Sequence, residues 1–420
     1  MFHPLINLLL TLAIIVILLR FKLPMGLVMF VGALVLGILY KVSVLQQLLA
    51  VKAAIISPVF LQLGIALNII MFLENILRTR GYLGKTLDSL KILIPNSKIT
   101  MMILPAFLGL LPSPGGAVFS APLVAEAGKD LEMSPEVKSS VNYWFRHLWE
   151  YFFPLYPGVI LGSQILQIPL SKIAVTLGWV SILAICLGYL VIIRPIPGGH
   201  PIPGGHPTSD FEPQTVTPLN RADKGRAFRD LLAGTWPVIL VVLTVMFFHF
   251  DVGLTVLGIM ILLLLLNRYR WTDLKKLGKD SFNVSIIFLI AGILIFKEML
   301  QVSGVVGWLP GFLHSAGIPD LLVVICLTSF VGFATGMSQA YIGATFPLLT
   351  GIIGIGAAVK PGMLILAYLS GFVGLMISPI HLCFMLTVDY FKADLLKVWR
   401  RIILPELAIL MVAIACALLL

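Results

Sequence analysis

The feature that most constrains this chain is an apolar stretch that is broken by prolines and glycines and then occurs a second time. Residues 110–123 read LLPSPGGAVFSAPL, and residues 336–349 read GMSQAYIGATFPLL. Proline removes a backbone donor and glycine costs about 1 kcal/mol inside a helix, so neither stretch suits a straight membrane helix. Broken backbone at membrane depth persists only where it is buried in protein or lines a wet cavity. Each stretch therefore predicts a re-entrant hairpin whose freed N–H and C=O groups can meet a ligand.

The two stretches belong to a longer internal repeat. Residues 116–119 (GAVF) match residues 343–346 (GATF), and a Pro-Leu pair follows shortly after each. At a constant offset of 225 residues, further pairs fall into register: Ser113 with Ser338, Tyr143 with Tyr368 and Pro154 with Pro379. Interrupted apolar segments at matching places in two halves are the best sequence indication of a secondary transporter's binding site.

Composition restricts the class of protein. Of the 420 residues 59% are hydrophobic and 11% are charged, and the mean hydropathy is +1.04, which excludes a soluble globular domain. The apolar runs are unbroken and longer than the roughly ten-residue alternating strands of a β-barrel. We therefore expect an all-α polytopic membrane protein. The net charge of +10 comes from Lys and Arg in loops beside the spans, so no nucleic-acid partner is expected.

The apolar segments predict about ten transmembrane helices, two re-entrant hairpins and two broken helices. The predicted divisions are a first repeat at 1–193, a cytoplasmic linker at 194–231 and a second repeat at 232–420. The hairpins are predicted near 99–126 and 320–352, and the broken helices at 137–165 and 361–389. Because each half carries an odd number of spans, the second repeat is expected to be inverted relative to the first.

Basic residues set the expected orientation. Lys and Arg follow spans one, three and seven and precede the last span, whereas residues 301–319 contain neither. The positive-inside rule then places both termini outside and the central loop in the cytoplasm of a multi-pass protein of the cell inner membrane.

The central loop contains the hexapeptide PIPGGH twice in succession, at 195–206. Metal binding by His200 and His206 is one interpretation, because histidine is a common ligand. A flexible Pro/Gly linker that joins the halves is the favoured one. The four cysteines are isolated in apolar runs without metal or disulfide spacing, so we interpret them as small core residues and expect no metal ligands.

The first broken helix carries the ionisable candidates. Asn142, Arg146 and Glu150 recur every four residues and would share one face of a continuous helix, and His147 is adjacent. Arg146 or His147 could neutralise an anionic substrate, or His147 and Glu150 could relay a proton. The alternative is a structural ion pair that braces the scaffold.

The hairpins and the second broken helix carry the uncharged candidates. Hydroxyls, an amide and free backbone N–H groups near helix N-termini suit a carboxylate or a phosphate-like anion. The hairpin candidates are Ser113, Gly115, Gly116, Ser338, Gln339 and Thr345. The alternative is that these small residues only permit close helix packing. In the second broken helix, Ser378 is a further substrate candidate beside Pro379. Candidates for the coupling ion are Glu150, Ser370 and His381.

The segments SPGGAVFSAPL and MSQAYIGATFPL, with the broken spans after them, resemble the ion transporter superfamily. That superfamily includes divalent-anion/sodium symporters, citrate and gluconate permeases and arsenite-pump membrane subunits, and the chain is similar within it to a prokaryotic membrane-protein family of unassigned function. The resemblance implies two inverted repeats, a homodimer, and a substrate held between the hairpin tips (113–116 and 338–340) and the helix breaks near Pro154 and Pro379. The symporters have Ser-Asn-Thr type tips, whereas this chain has Ser-Pro-Gly-Gly and Ser-Gln-Ala.

The sequence thus predicts a secondary active transporter that moves a small anion, an organic acid, by alternating access with H⁺ or Na⁺ as coupling ion and without a cofactor. One alternative is an exporter or flippase of an amphipathic or lipid-linked anion. Another is an intramembrane enzyme that uses His147 and Glu150. We expect no enzyme, because the sequence offers no metal-ligand spacing, no catalytic triad and no cofactor loop.

Overall fold

The structure, a computed structural model, describes residues 3–21, 23–112, 116–197 and 221–420. Within these ranges all regular secondary structure is helical, which confirms the predicted all-α class. Five helices are long and apolar enough to cross a bilayer, which indicates a membrane protein. They are Pro58–Thr79, Leu170–Ile193, Asp223–Phe247, Val284–Val302 and Leu395–Leu419. Shorter apolar helices of 10–17 residues accompany them.

The described residues form 20 α-helices in two successive series. The first series is α1 (His3–Arg20), α2 (Met25–Leu39), α3 (Val44–Ile56), α4 (Pro58–Thr79), α5 (Tyr82–Leu93), α6 (Ser97–Leu108), α7 (Ala117–Ala127), α8 (Pro135–Arg146), α9 (Pro157–Leu166) and α10 (Leu170–Gly188). The second series is α11 (Arg221–Phe247), α12 (Val252–Leu266), α13 (Trp271–Ser281), α14 (Val284–Val302), α15 (Val305–Ser315), α16 (Asp320–Thr335), α17 (Ser338–Ile353), α18 (Pro361–Met376), α19 (Leu382–Phe391) and α20 (Leu395–Leu419). A π-helical turn at Tyr189–Ile193 continues α10.

The two series repeat the same local signals in the same order. The short helices α5 and α15 each follow a glycine in the left-handed region, Gly81 with φ 78° and Gly304 with φ 75°. Both α8 and α18 start at a proline, whose fixed φ suits the first helical position, and both end at an interruption. The sequence repeat is thus matched by a repeat of helix starts and stops.

The helices of one series pack against those of the other in reciprocal pairs. Helix α2 lies against α14 and α12 lies against α4, while α9 packs on α17 and α7 packs on α19. Small residues permit the closest approach: a Cβ atom built on Gly292 would lie 2.2 Å from the Gly26 carbonyl oxygen. The two series therefore interlock through a shared interior instead of forming separate bodies.

Helix ends reach this interior at several points. Helix α16 turns into α17 through Gly336 and Met337, and Gly336 has φ 62°, a left-handed conformation that glycine adopts without strain. Residues 147–156 separate α8 from α9, and residues 377–381 separate α18 from α19. We call these two segments the first break and the second break.

The predicted spans do not account for four short helices: α3, α5, α13 and α15. They have 11 to 13 residues, too few to cross a bilayer. Helices α5 and α13 also carry charged residues, as in the sequence WTDLKKLGKDS of α13. Counting the long apolar segments of the sequence therefore does not detect these helices.

Candidate functional site

Both series of helices wall one cavity of about 1040 Å³. Its polar end is formed by the two breaks and the α16–α17 turn. The polar lining side chains there are Arg146, Glu150, Tyr156, Thr335, Ser338, Gln339, His381 and Cys383. The rest of the wall comes from α2, α3, α4 and α14 and is mainly apolar, with Phe30, Leu67 and Phe288 among its members. The cavity thus has one polar end and one apolar side.

Among the described residues, three helices begin at the polar end of the cavity. Pro157 starts α9, Ser338 starts α17 and Leu382 starts α19, and all three residues line the cavity. Helices α9 and α17 meet closely there, because a Cβ atom on Gly158 would lie 3.0 Å from Ser338 Oγ. The first N–H groups of a helix lack intrahelical acceptors and carry a positive partial charge. This end of the cavity therefore favours an anion.

The residue that precedes α9 and the residue that precedes α19 make equivalent hydrogen bonds. Tyr156 is the N-cap of α9, and its hydroxyl donates to the carbonyl of Gly109, the C-cap of α6. His381 is the N-cap of α19, and its Nδ1 lies 2.6 Å from the carbonyl oxygen of Gly336, the C-cap of α16. Since a carbonyl oxygen only accepts, Nδ1 of His381 carries a proton. In each half the last residue of the break is thereby fastened to the C-terminal end of an earlier helix, α6 in the first half and α16 in the second.

Two tyrosines connect the breaks across the halves. The Tyr143 hydroxyl on α8 donates to the Met376 carbonyl at 2.9 Å, at the end of α18. The Tyr368 hydroxyl on α18 donates to the Glu150 carbonyl at 2.7 Å, inside the first break. Tyr143 and Tyr368 occupy equivalent places in the sequence repeat, so each half supplies a donor to the interrupted backbone of the other.

His147 lies behind the cavity wall and contacts groups that line it. Its Nδ1 lies 2.6 Å from the Tyr143 carbonyl oxygen, and its Nε2 lies 3.1 Å from His381 Nε2 and 3.7 Å from Glu150 Oε1. The Cys383 sulfur belongs to the same cluster: the ligating atoms of His147, His381 and Cys383 all lie within 4.8 Å of one another. Both histidines are buried, with 1% and 8% of their surface exposed.

Of the predicted site residues that the structure describes, five line the cavity: Arg146, Glu150, Ser338, Gln339 and His381. Helix α8 ends at Arg146, so Glu150 is carried by the turns that follow and not by the same helix as Asn142. The predicted shared helical face thus includes Asn142 and Arg146 but stops before Glu150. Arg146 is buried, with 4% of its surface exposed.

Asn142 and Thr345 lie in packed regions away from the cavity lining. The Asn142 amide donates to the Ala117 carbonyl at 3.1 Å and to Thr387 Oγ1 at 3.0 Å, which joins α8 to α7 and α19. The Thr345 hydroxyl donates to the Tyr341 carbonyl at 2.6 Å within α17. These contacts brace the helices around the site.

Ser370 and Ser378 also make helix-to-helix contacts. Ser370 Oγ lies 2.6 Å from Thr328 Oγ1, where α18 packs on α16. The Ser378 hydroxyl donates to the Phe333 carbonyl at 2.6 Å. Of the first hairpin's candidates, Gly116 is the N-cap of α7, while Ser113 and Gly115 lie outside the described residues.

The sequence interpretation missed Cys383 and Tyr156. Cys383 was expected to be a small core residue, yet it is half-buried, lines the cavity and lies beside two histidines. Its position two residues after His381, at the start of a helix that follows a break, was the available signal. Tyr156 stands 225 residues before His381, and that offset was the signal for its equivalent role.

Comparisons with known proteins give one family. The family model described as "Protein of unknown function (DUF401)" matches residues 4–197 and 214–420. The two matched parts together take in most of the chain and leave out the middle of the central linker. A comparison with curated proteins finds no match.

Proposed function

The chain belongs to the DUF401 family, and from that starting point we propose that it is a secondary active transporter of small organic anions. The observation that carries the proposal is the convergence of three helix N-termini and the buried Arg146 on one cavity that both halves of the chain enclose. Ionisable residues within a membrane are rare and mark substrate or ion pathways.

The electrostatics of the polar end support an anionic substrate. Each helix N-terminus contributes a partial positive charge of about half an elementary charge. The Arg146 guanidinium adds a full charge and can bind a carboxylate through two parallel hydrogen bonds. Ser338 and Gln339 add a hydroxyl and an amide at the start of α17. An organic acid with a short apolar part suits both the polar end and the apolar side of the cavity.

The interrupted helices support alternating access. Discontinuous helices at equivalent positions of two repeats are typical of carriers whose substrate lies near the middle of the bilayer. In our proposal the two halves are inverted in the inner membrane, and one part of each half moves against a fixed scaffold. The resemblance to the ion transporter superfamily supports this arrangement and a homodimer.

Glu150 is the proposed carrier of a coupling proton, because it lines the cavity beside Arg146, and His381 lines the cavity near it. Ser370, the third candidate for the coupling ion, is engaged with Thr328 and with the Leu366 carbonyl at 2.5 Å. Within the proposal, H⁺ is therefore a better supported coupling ion than Na⁺.

The test starts with a thermal-shift screen of the purified protein against organic acids and phosphonates, at several pH values with and without Na⁺. The ligand that raises the melting temperature most is then followed into proteoliposomes under an imposed pH or Na⁺ gradient. We expect saturable uptake that depends on one of the gradients. Current that does not saturate would instead establish a channel.

The apolar side of the cavity favours one second candidate, an exporter or flippase of an amphipathic anion. Such a substrate would place its charge beside Arg146 and its chain against Phe30, Leu67 and Phe288. Transbilayer movement of a fluorescent anionic lipid in the same proteoliposomes distinguishes the two candidates. Lipid movement without uptake of any water-soluble acid would favour the second.

A further inference from the structure

The contact between His147 and His381 poses a problem of hydrogen-bond donors. The Nδ1 atoms of both rings face backbone carbonyl oxygens at 2.6 Å, those of Tyr143 and Gly336. A carbonyl oxygen only accepts, so both neutral rings carry their proton on Nδ1. Their Nε2 atoms then face each other at 3.1 Å with two lone pairs and no proton between them. A proton or a metal ion between these nitrogens would make the contact attractive.

Further electron-pair donors surround the same point. The Cys383 sulfur is within 4.8 Å of both ligating nitrogens, and Glu150 Oε1 is 3.7 Å from His147 Nε2. A proton shared by the two Nε2 atoms would bind the imidazoles but would not involve the cysteine sulfur or the carboxylate. Two imidazoles, a cysteine sulfur that loses its proton when a metal ion binds, and a nearby carboxylate form a donor set that zinc uses in proteins.

The spacing and the outer contacts also suit a metal ion. With Zn–N bonds of about 2.0–2.1 Å, two nitrogens of a tetrahedral site lie about 3.3–3.4 Å apart, close to the observed separation. Metal-binding histidines nearly always donate their other ring N–H to a carbonyl or a carboxylate, which fixes the tautomer. His147 and His381 both make that second contact.

We propose that His147, His381 and Cys383 bind a divalent transition-metal ion of the zinc class, with Glu150 beside the site as an additional donor or counter-charge. His381 and Cys383 line the cavity, so an ion held by them would lie at its polar end. The donors come from the two halves, 234 residues apart for the histidines, which is why spacing along the chain indicated no metal site.

The experiment uses the full chain in detergent, free of any histidine tag and stripped of metal, without added substrate. Zn²⁺ is titrated, and bound metal is measured after gel filtration. Co²⁺ replaces Zn²⁺ for absorption spectra. We expect about one ion per chain and a cobalt spectrum with a sulfur-to-metal charge-transfer band in the near ultraviolet. Cys383→Ser should remove that band, and His147→Gln or His381→Gln should weaken Zn²⁺ binding at least about tenfold.

Matched variants test whether the metal ion binds at this cluster and not elsewhere on the chain. Cys416→Ser changes another half-buried cysteine, on α20, and should leave the band intact. A variant with His200→Ala and His206→Ala removes the linker histidines and should bind Zn²⁺ as the parent does. Because His147→Gln could disturb packing, the metal-free melting temperature of each variant is recorded, and Cys383→Ser supplies an independent reading.

The proposal is overturned by any of three results: well under one ion per chain, a cobalt spectrum without a sulfur band, or binding that Cys383→Ser and His147→Gln leave unchanged. Loss of binding in the linker variant overturns it as well. None of these measurements depends on transport. A result that overturns the metal site would therefore leave the proposed carrier function unaffected.

Discussion

The two breaks are equivalent in the repeat and different in length and chemistry. At the offset of 225 residues, α9 and α19 begin at matching positions, Pro157 and Leu382. Helix α8, however, ends at Arg146, whereas α18 continues to Met376, the counterpart of position 151. The first half therefore unwinds about one helical turn sooner than the second.

The two breaks differ in the residues at the positions of that extra unwound turn. His147 and Glu150 occupy it, and their counterparts Phe372 and Leu375 remain helical and buried in α18. Gly371, the counterpart of Arg146, lies where α16 and α18 touch, since a Cβ atom on Gly332 would lie 2.1 Å from its carbonyl oxygen. Both halves have the backbone break, while charge is concentrated in the first and close helix packing in the second.

The largest expected effect is on ligand affinity, and it tests whether charge in the first break distinguishes it from the second. If the first break supplies the charge that binds the substrate, Arg146→Ala should weaken binding of the best ligand about a hundredfold, or roughly 3 kcal/mol. Isothermal titration with the ligand from the screen measures this loss. Arg80→Ala is the control, because Arg80 pairs with Asp273 at 3.3 Å and both are partly exposed. Equal affinity in the two variants would contradict the assignment of charge to the first break.

The next effect tests whether the two breaks are fastened in the same way. A Cβ atom on Gly109 would lie 2.0 Å from the Arg146 carbonyl oxygen, and one on Gly336 would lie 2.9 Å from His381 Cα. Gly109→Ala and Gly336→Ala should each reduce the free energy of unfolding by roughly 2–3 kcal/mol.

Thermal unfolding of the two glycine variants supplies the measurement. Gly307→Ala is the control, since Gly307 lies inside α15 with open space around it and alanine is the better helix former. A wild-type melting temperature for either cap variant would mean that its break is held by other contacts.

A smaller effect compares the two tyrosines that connect the breaks. Tyr143→Phe removes a hydroxyl donor from a buried carbonyl and Tyr368→Phe removes one from a partly buried carbonyl, so each should cost about 1–2 kcal/mol of stability. The stability that the double variant loses should differ from the sum of the two single losses, because both contacts act on the same pair of segments. Denaturant titration of the three variants gives the coupling. Strict additivity would show that the breaks respond independently.

The smallest effect extends the comparison to α10 and α20, which pack behind α8. Ser181 on α10 donates to the Leu148 carbonyl in the first break at 2.5 Å. Its counterpart Glu406 on α20 is fully buried, and neither of its carboxyl oxygens has a hydrogen-bond partner among the described residues. An amide is no more costly to bury than a carboxyl group, so Glu406→Gln should change stability by about 0.5 kcal/mol or less. A loss near that of Ser181→Ala, about 1 kcal/mol, would show that Glu406 has an essential contact of its own.

The parts of the fold that local chemistry dictates could be predicted from the sequence. Helical structure followed from composition, and interruptions were expected near Pro154 and Pro379, where proline and glycine interrupt apolar runs. The short helices α5 and α13 could not be found by hydropathy, because their charged residues and length are those of a connecting segment. The early end of α8 was also hidden, since Asn142, Arg146 and Glu150 fit a helical period that the backbone does not continue.

Individual residues of the candidate site could be predicted from the sequence, but the contacts between them could not. Arg146 and Glu150 stood out because charge is costly in an apolar span, and Ser338 stood out in a repeated motif. The cluster of His147, His381 and Cys383 depends on how the halves fold together, and no local pattern reports a contact between residues so far apart in the chain. Thr345 was a hairpin candidate like Ser338, yet it lies about two helical turns further along α17, on a packed face.

The exchange of tyrosine hydroxyls between the halves has a consequence for how the chain is made. The Glu150 carbonyl is synthesised 218 residues before the tyrosine that donates to it, and the Tyr143 hydroxyl precedes its acceptor by 233 residues. While only the first half has been synthesised, the Glu150 carbonyl and the Tyr143 hydroxyl lack these hydrogen-bond partners. The second half supplies both partners. Both breaks therefore obtain these hydrogen bonds only after the second half has been made, and a chain truncated after the first half would lack both.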